Sequence, residues 1–322
     1  MKVLVTGAGA LLGQGILRAL KNSPLKPHLI AVDPSPLSAG LYWADEAALI
    51  PMARDPEYME VAERLIAEHR PDAVLIGTDV ELFLFAEHRA RLEATYGTHI
   101  VVASHEVIGI ADDKYLTARF FQEQGFDAPH SVLPDDVDEI VEALGFPLIV
   151  KPRVGARSIG VAKVTDRTQL QRAIDAVEGP VIQECVGDDG AEYTAGTVTF
   201  DGVCYASIVM RRDLRDGNTY RAFVEDFPEL NDVVRRWAEA LGAHGPANFQ
   251  FRIDREGRAK VFEINARFSG TTPLRHHAAF PEVDMVLRHV VLGERIEQPT
   301  VEPLTVLRHW SETLVRPHEL LQ

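Results

Sequence analysis

The chain has few of the features that mark secreted, membrane-spanning or disulfide-stabilised proteins. It contains only two cysteines, Cys185 and Cys204, and their spacing forms neither a metal-ligand pattern nor a disulfide framework. No apolar run approaches the ~20 residues that a membrane-spanning helix needs. The N-terminal residues run straight into a strand and a glycine turn, without the cleavage pattern of a signal peptide. We therefore expect a cytoplasmic protein that does not bind membranes.

Positive charge is also scarce. The 322 residues include 33 Lys and Arg against 48 Asp and Glu, which gives a formal net charge of −15. We do not expect binding to nucleic acid, because nonspecific binding to it depends on an excess of positive charge. This balance still allows an anionic small molecule to be held in a locally basic pocket.

The order of strand-like and helix-like segments divides the chain into three parts. Residues 1–103 alternate short apolar strands with amphipathic helices, which predicts an α/β unit with a parallel, doubly wound sheet. Residues 104–186 read as helix-rich α+β, with a helix predicted over Asp112–Gln124. Residues 187–322 read as largely antiparallel, with a hairpin turn at Asp201-Gly202.

The segment 247–267 contains two strand-like runs with a turn at Glu256-Gly257. The register that follows from this turn gives these opposed pairs: Arg255 with Arg258, Gln250 with Glu263, and Asn248 with Asn265. Because side chains alternate along a strand, Glu263, Asn265 and Arg267 share one face. Hard oxygen ligands beside a fixed cation suit a magnesium–triphosphate complex. The alternative is a hairpin with one solvated face.

The glycine turn near the N-terminus allows a competing interpretation. Gly7-Ala8-Gly9 and Gly13 follow a strand and open a helix, and Asp33 ends the next strand, as in a dinucleotide-binding fingerprint. The G-x-G-x-x-x-G spacing is looser than that fingerprint, and the chain has no Tyr-x-x-x-Lys pair. We favour a tightly packed βα turn beside a substrate crevice, with a nicotinamide site as the alternative.

Phosphate-binding features occur in the middle part. A strand ends at Lys151 and is followed by a loop with Gly155, Ser158 and Gly160, whose backbone N–H groups could be presented to phosphates. The pattern differs from a Walker loop, which requires a lysine after its last glycine. Lys114 opens the preceding helix, where a solvated lysine is the ordinary explanation.

Further polar residues have both a functional and a structural interpretation. Glu184, Cys185 and Val186 end a strand where exposed backbone could pair with an adenine edge, whereas Glu192 is either a ribose ligand or an exposed strand carboxylate. Arg211 lies in a basic run, with Arg212 and Arg215, that is either a solvated turn or a loop facing a γ-phosphate. His276-His277 lacks a third zinc ligand, which favours a surface or substrate-lining role.

These motifs, in this order, resemble the ATP-grasp superfamily, most closely its carbamoyl-phosphate-synthase-like and pyrrolysine-biosynthesis-type members. The most specific elements are Asn248-Phe-Gln250 and Glu263-Ile-Asn-Ala-Arg267. The resemblance implies a Rossmann-like pre-ATP-grasp domain followed by a two-subdomain ATP-grasp fold. The implied boundaries are 1–103 for the first domain, 104–186 for a small subdomain with the phosphate loop, and 187–322 for a large subdomain with the metal-binding hairpin.

The resemblance also implies roles for individual residues. The cofactors would be ATP and two Mg²⁺ ions, with Mn²⁺ as an alternative metal. The nucleotide would contact Lys114, Lys151, Ser158, Glu184, Cys185, Val186 and Glu192. The metal ligands would be Gln250, Glu263 and Asn265. Arg267 would stabilise an acyl phosphate, and Arg211 is our candidate partner for a carboxylate or oxyanion. Arg157 departs from the small residue common in this loop.

The expected reaction is ATP-dependent activation of a carboxylate as an acyl phosphate, followed by capture by an amine with release of ADP and phosphate. The partners would be small-molecule carboxylates and amines, and a homodimer is left open. One alternative is a carboxylate kinase that stops at the acyl phosphate. Another is a nicotinamide-dependent reductase, or a nucleotide-binding scaffold without catalysis.

Overall fold

The computed structural model describes residues 1–155, 158–187 and 192–321. The described chain forms three β-sheets of five, four and six strands, each with its own group of helices. None of the helices in these ranges combines the length and the apolar character needed to cross a membrane. Arg157, which the sequence singles out, lies outside the described residues.

The first sheet is parallel, as predicted, with strand order β3-β2-β1-β4-β5. Its strands are β1 Lys2–Val5, β2 His28–Asp33, β3 Glu46–Leu49, β4 Ala73–Leu75 and β5 His99–Val101. The helices of this part are α1 Leu11–Lys21, α2 Tyr58–His69 and α3 Leu82–Tyr96. Helices that connect parallel strands cover both faces of such a sheet, and the inner strands β1, β2 and β4 are accordingly buried over nearly their whole length.

The second sheet is antiparallel, with strand order β6-β9-β7-β8. Its strands are β6 Ser131–Val132, β7 Leu148–Pro152, β8 Ala162–Val164 and β9 Pro180–Glu184. The helices are α4 His105–Asp112, α5 Lys114–Glu123, α6 Val137–Leu144 and α7 Arg167–Asp175. The helix predicted over Asp112–Gln124 is present as α5, but its predicted start is wrong by two residues. Asp112 ends α4, and extended Asp113 caps α5 by accepting hydrogen bonds from the backbone N–H groups of Tyr115 and Leu116.

The third sheet is antiparallel, with strand order β14-β13-β10-β11-β12-β15. Its strands are β10 Glu192–Phe200, β11 Val203–Arg215, β12 Asn218–Val224, β13 Gly245–Ile253, β14 Ala259–Asn265 and β15 Leu304–Leu307. The helices are α8 Pro228–Leu241, α9 Thr272–His277 and α10 Glu282–Leu292. The predicted turn between β10 and β11 is confirmed: Asp201 and Gly202 have φ values of 51° and 77°, as a two-residue hairpin requires.

The buried apolar residues form three clusters. Two of them each combine residues of the first sheet with residues of the third, and the helices α4 and α5 contribute to the larger one. The third cluster contains only residues of the second sheet and of α6 and α7, from Val132 to Ile182. The first and third parts are therefore packed together, while the four-stranded sheet has a core of its own. The exact domain boundaries stay a prediction.

Candidate active site

A cavity of about 680 Å³ opens where the three sheets meet. The first sheet contributes residues 10–12 and 77–80, which follow the carboxyl ends of β1 and β4. The second sheet contributes the end of β7, the glycine loop and the end of β9, and the third contributes β10 to β14. The crevice expected at the carboxyl edge of the parallel sheet is thus one wall of a larger site.

The hairpin of β13 and β14 forms the polar floor of this cavity. Gln250 pairs with Glu263 and Asn248 with Asn265, which is the predicted register. Closer to the turn, however, the register differs by one residue. Asp254 N–H donates to the carbonyl of Arg258 over 2.9 Å, so the predicted pairing of Arg255 with Arg258 is wrong.

A β-bulge explains why the register of this hairpin matches the prediction at Gln250 but not at the turn. The register shifts between Gln250 and Phe251, where Phe262 is the extra residue on β14. Phe262 and Glu263 therefore both line the cavity, whereas Val261 and Ile264 are buried beneath them. Beyond the bulge, the strand pairing therefore has the predicted register, and the bulge places the aromatic ring of Phe262 at the site.

The polar side chains on the floor form one continuous hydrogen-bonded chain. Glu263 accepts from the amides of Gln250 (2.9 Å) and Asn265 (3.4 Å). Gln250 Oε1 accepts from Arg212 (2.6 Å), and Asn265 Oδ1 accepts from Arg267 (2.8 Å). Both amide oxygens of the predicted metal set thus face a cationic group, with the Glu263 carboxylate between them.

Lys151 lies above this floor at the end of β7 and is only 5% exposed. Its Nζ contacts the carbonyl of Phe262 at 3.4 Å and lies 5.2 Å from the centre of the Phe262 ring. Burial lowers the pKa of Lys151 to about 7, although the nearby Glu263 carboxylate acts in the opposite direction. The site therefore holds a desolvated amine for which an anionic ligand would restore the charge.

Lys114 is not the solvated lysine that its sequence context suggests. It is 6% exposed at the start of α5, and its Nζ donates to the carbonyl of Gly155 at 2.7 Å. This contact fixes the near end of the glycine loop against α5. Ser158, at the far end of the loop, lines the cavity with φ 55°, a left-handed conformation that is uncommon outside glycine.

The end of β9, which is predicted to hold adenine, lines another wall of the cavity. Glu184, Cys185 and Val186 all face the cavity. The carboxylate of Glu184 forms an ion pair with Lys260 at 2.6 Å and accepts from the backbone N–H of His130 at 3.1 Å. These contacts anchor the end of β9 to β14, so the wall is connected directly to the hairpin.

Glu192 is a buried carboxylate held between two arginines, not an exposed strand residue. It forms ion pairs with Arg212 at 2.6 Å and Arg252 at 2.8 Å and faces the cavity. Arg212 lines the cavity as well. It lies opposite Glu192 on β11 and was not selected from the sequence as a site residue.

The position expected for Arg211 is wrong. Residues 211–215 belong to β11, not to a loop, and only Asp216-Gly217 forms the turn into β12. Because side chains alternate along a strand, Arg211 points to the opposite face from Arg212. Its guanidinium lies 3.9 Å from the centre of the Phe223 ring. Of these two neighbouring residues, Arg212 therefore lies on the cavity face of the strand and Arg211 does not.

Arg267 connects the hairpin to the first part of the chain. Its Nε donates to Asp79 Oδ1 at 2.7 Å, and its side chain is 10% exposed against 46% for Asp79. Asp79 lies in a short 3₁₀ turn after β4 that is held by the buried carboxylate of Glu81. Glu81 accepts from Thr6 and Thr78, each at 2.7 Å, and burial raises the pKa of Glu81.

A second buried charged pair supports the floor from below. Arg275 and Glu282, each 1% exposed, form an ion pair at 3.0 Å, and Arg275 also donates to Asn248 Oδ1. The guanidinium fills the space over Gly196, where a Cβ would lie 2.5 Å from it. No sequence motif pointed to this pair, because its members lie outside the hairpin and contact it only through the fold.

The N-terminal glycine turn is packed, as favoured from the sequence. A Cβ on Gly13 would lie 2.1 Å from the carbonyl oxygen of Gly7, so α1 approaches the turn closely. Asp33 accepts from Gly9 N–H at 2.7 Å and from the Ser38 hydroxyl at 2.6 Å. The acid that would contact a dinucleotide ribose instead fixes the loop itself.

His276-His277 lines a separate, smaller cavity with other basic residues. The described residues contain no group of three or more His, Cys, Asp or Glu side chains arranged to hold a metal. The preference for a surface or substrate-lining role for His276-His277 stays a prediction.

Matches to three protein families cover most of the chain in succession. Residues 3–101 match the family described as PylC-like, N-terminal domain. Residues 109–180 match the D-ala D-ala ligase C-terminus. Residues 188–312 match ATP-grasp in the biosynthetic pathway with Ter operon.

Curated proteins also resemble this chain over part of their length. The chain is 22% identical over 333 residues to the N-terminal section of the carbamoyl phosphate synthase large chain of Methanopyrus kandleri, covering 92% of this chain and 58% of the relative. It is 30% identical over 176 residues to the D-alanine–D-alanine ligase of Neisseria gonorrhoeae, covering 48% of this chain and 57% of the relative. It thus spans less than two thirds of the length of these relatives.

The fold is also found in a solved structure. N5-carboxyaminoimidazole synthetase from Staphylococcus aureus, crystallised with ADP, matches with a TM-score of 0.76 at 16% identity over 95% of this chain and 81% of that chain. The expected architecture, a Rossmann-like domain followed by a two-subdomain ATP-grasp fold, is confirmed. The resemblance to the ATP-grasp superfamily, on its carbamoyl-phosphate-synthase-like side, is confirmed with it.

Proposed function

We propose that this protein is an ATP-dependent ligase that activates a carboxylate as an acyl phosphate and couples it to an amine. The products are an amide, ADP and phosphate. The partners are small molecules, an amino acid or another small amine among them. The relatives named carbamoyl phosphate synthase and D-alanine–D-alanine ligase support this reaction class.

One observation carries the proposal. The Glu263 carboxylate and the amide oxygens of Gln250 and Asn265 lie side by side on the cavity floor, and buried Lys151 lies against the same strand. A metal-bound polyphosphate needs this combination, with hard oxygen ligands for the metal and a cation for the phosphate oxygens. A hairpin with a merely solvated face would not require a buried lysine above it.

The residues present fit Mg²⁺. One carboxylate and two amide oxygens are ligands that Mg²⁺ accepts, and guanidinium groups contact both amide oxygens in this structure. Gln250, Glu263 and Asn265 would hold the metal, which we propose to be two Mg²⁺ ions, with Mn²⁺ as a substitute. When bound, the metal would neutralise charge on the transferring phosphoryl group.

The remaining side chains are assigned to binding and positioning. Lys151, Lys114 and Ser158 would contact the phosphates, and the β9 end at Glu184–Val186 would contact adenine. We assign Glu192, which lines the cavity, to the ribose hydroxyl groups.

Arg267 is the group that we assign to the reacting atoms. It adjoins Asn265 and faces the crevice of the first sheet, where a carboxylate substrate could enter. A guanidinium there keeps its charge at any working pH and can stabilise the oxygens of an acyl phosphate and of the tetrahedral state that follows. We move the second arginine role from Arg211 to Arg212, which lies on the cavity face.

The test is ADP release measured over a panel of amino acids and amines, supplied singly and in pairs with ATP and Mg²⁺. Mass spectrometry identifies any condensed product. A ligase gives an amide only when both substrates are present. A carboxylate kinase gives ADP with the carboxylate alone and a hydroxamate when hydroxylamine is added, and that result without an amide from any pair would contradict the ligase proposal.

Glu263→Gln is the active-site variant for this assay, and Glu256→Gln is its matched control. Glu256 lies at the tip of the same hairpin, with its side chain 66% exposed. Loss of ADP release in the first variant alone ties the activity to the cavity floor.

Thermal-shift measurements with ATP and Mg²⁺ against NADPH distinguish the reductase alternative, because only a bound ligand raises the melting temperature. Cytoplasmic location and a homodimer stay predictions.

A further inference from the structure

A second cavity, of about 270 Å³, lies between α1, α9 and the chain at the end of β15. The polar side chains that line it are Arg18, Asn22, His276, His277, Arg308 and His309. We call this cavity the basic pocket. Among the described residues that line it there is no aspartate or glutamate. It is a concentration of positive charge on a chain whose formal net charge is −15.

The two arginines of the basic pocket are not neutralised by carboxylates. Arg18 lies 5.1 Å from the centre of the Trp43 ring. Arg308 donates to the main-chain carbonyls of Thr219, at 3.2 Å, and Gly270. Within the part of the chain that the structure describes, neither forms an ion pair. By contrast, four arginines that line or support the first cavity each form an ion pair with a carboxylate: Arg212, Arg252, Arg267 and Arg275.

The two guanidinium groups are close enough to repel each other. Burial lowers the pKa of Arg308, and the charge of Arg18 lowers it further. His276 adds a buried Nδ1 that has no hydrogen-bond partner in the described structure. The carboxylate of Asp284, whose pKa is raised by burial and lowered by the nearby His276, is buried on α10 and does not line the pocket. An anion in the pocket would offset the repulsion between the two guanidinium groups.

We propose that the basic pocket binds a small oxyanion, carried by a phosphate ester or by a polycarboxylate. Arginine side chains present a planar set of donors that matches two oxygens of such an anion, and the histidines add further donors. The pocket is separate from the proposed nucleotide site, and this inference does not depend on the ligase activity. Arg308 lines both cavities, so it forms the wall between them.

The direct test is calorimetric titration of the full chain with inorganic phosphate and, separately, with citrate. Phosphate can also bind near Lys151, so the titrations are repeated with Lys151→Met, which removes this buried ammonium group from the first cavity. Binding to the basic pocket persists in that variant. Arg18→Gln lowers the affinity of this remaining site at least tenfold. The matched control is Arg236→Gln, a change at an exposed residue of α8, which leaves the affinity unchanged.

Histidine-ring NMR spectra locate the site. We expect added phosphate to move the resonances of His277 and His309, assigned with the His277→Gln and His309→Gln variants, and to leave them in place in Arg18→Gln. Preference for phosphate over citrate identifies a phosphate ester as the ligand class, and the reverse identifies a polycarboxylate. If Lys151→Met abolishes all binding, or if Arg18→Gln binds like the wild type, the basic pocket is not an anion site.

Discussion

Arg267 and Asp79 form an ion pair of 2.7 Å between positions that are 188 residues apart in the chain. Through this pair, the last residue of the Glu263-Ile-Asn-Ala-Arg267 motif contacts the turn after β4 of the parallel sheet. A carboxylate therefore already occupies one face of Arg267 in this structure. A substrate carboxylate entering the crevice would meet the same guanidinium.

We expect Arg267→Met to separate nucleotide binding from catalysis. ATP affinity should stay within a few-fold, because Lys114, Lys151 and the metal ligands remain. Turnover should fall about a hundredfold or more, as when one donor to a developing oxyanion is removed. Calorimetry measures the first quantity and single-turnover ADP formation the second. A collapse of ATP affinity with normal turnover at saturation would instead identify Arg267 as a clamp for ground-state phosphate.

Glu263→Gln should fold normally and lose ATP turnover. The substitution keeps the size of the side chain but removes the only carboxylate between the two amides that contact it. Circular dichroism checks the fold, and ADP release checks activity, with Glu256→Gln as the control. Wild-type turnover in the Glu263→Gln variant would exclude the metal assignment.

Limited proteolysis should cut the free protein between residues 154 and 159 and spare it when ATP and Mg²⁺ are bound. Val154 and Ile159, on either side of residues 156–157, are 56% and 74% exposed, and such exposed loop ends are common cleavage sites. The Lys151→Met variant serves as the control, since it should be cut with or without nucleotide. Equal cutting of the wild type in both states would mean that the loop does not cover the phosphates.

The stability of the ligand-free protein should depend on pH through Lys151. Its folded-state pKa of about 7 is below the ordinary value of 10.5, so folding disfavours the charged form. The resulting destabilisation is fully present below about pH 7 and decreases as the pH rises toward the unfolded-state value. Lys151→Met should therefore raise the melting temperature most at about pH 6 and progressively less toward about pH 10. A constant difference across this range would show that Lys151 keeps its charge when folded.

Arg275→Met should destabilise the fold by about 3–5 kcal/mol, because it leaves Glu282 as a buried carboxylate without its partner. Replacing both residues with methionine should cost less than the sum of the two single changes, since neither charge is then left alone. Urea unfolding of the two single variants and the double variant provides the comparison. Additive costs would mean that the two residues do not act as a pair.

Much of the fold was predictable because it rests on patterns of buried residues. The helix at Tyr58–His69 and the hairpin turn at Asp201-Gly202 follow directly from apolar periodicity and turn chemistry. The two-residue strand β6 and the edge strand β3 were not predicted. β6 is too short, and β3 is too little buried, to leave a periodic signal.

The site was predictable where residues contact one another along a single hairpin. The pairing of Gln250 with Glu263 follows from counting, although the count succeeded because a bulge at Phe262 cancelled a one-residue error at the turn. Arg211 was chosen over Arg212 because the sequence did not reveal that β11 extends to Arg215, and strand phase then decides which arginine faces the cavity. Arg275 reaches Asn248 only through tertiary packing, which no local pattern encodes.

The cavity is lined by residues that range from Ala10 to Arg308. A ribosome synthesising this chain makes the glycine turn and Asp79 long before it makes Glu263 and Arg267. Once residues 1–101 have been made, the nascent protein contains every strand of its parallel sheet but none of the metal ligands that we assign. Under the function that we propose, a chain that ends before the hairpin lacks the metal ligands needed for ATP turnover, so premature termination would yield an inert fragment and not an uncoupled ATPase.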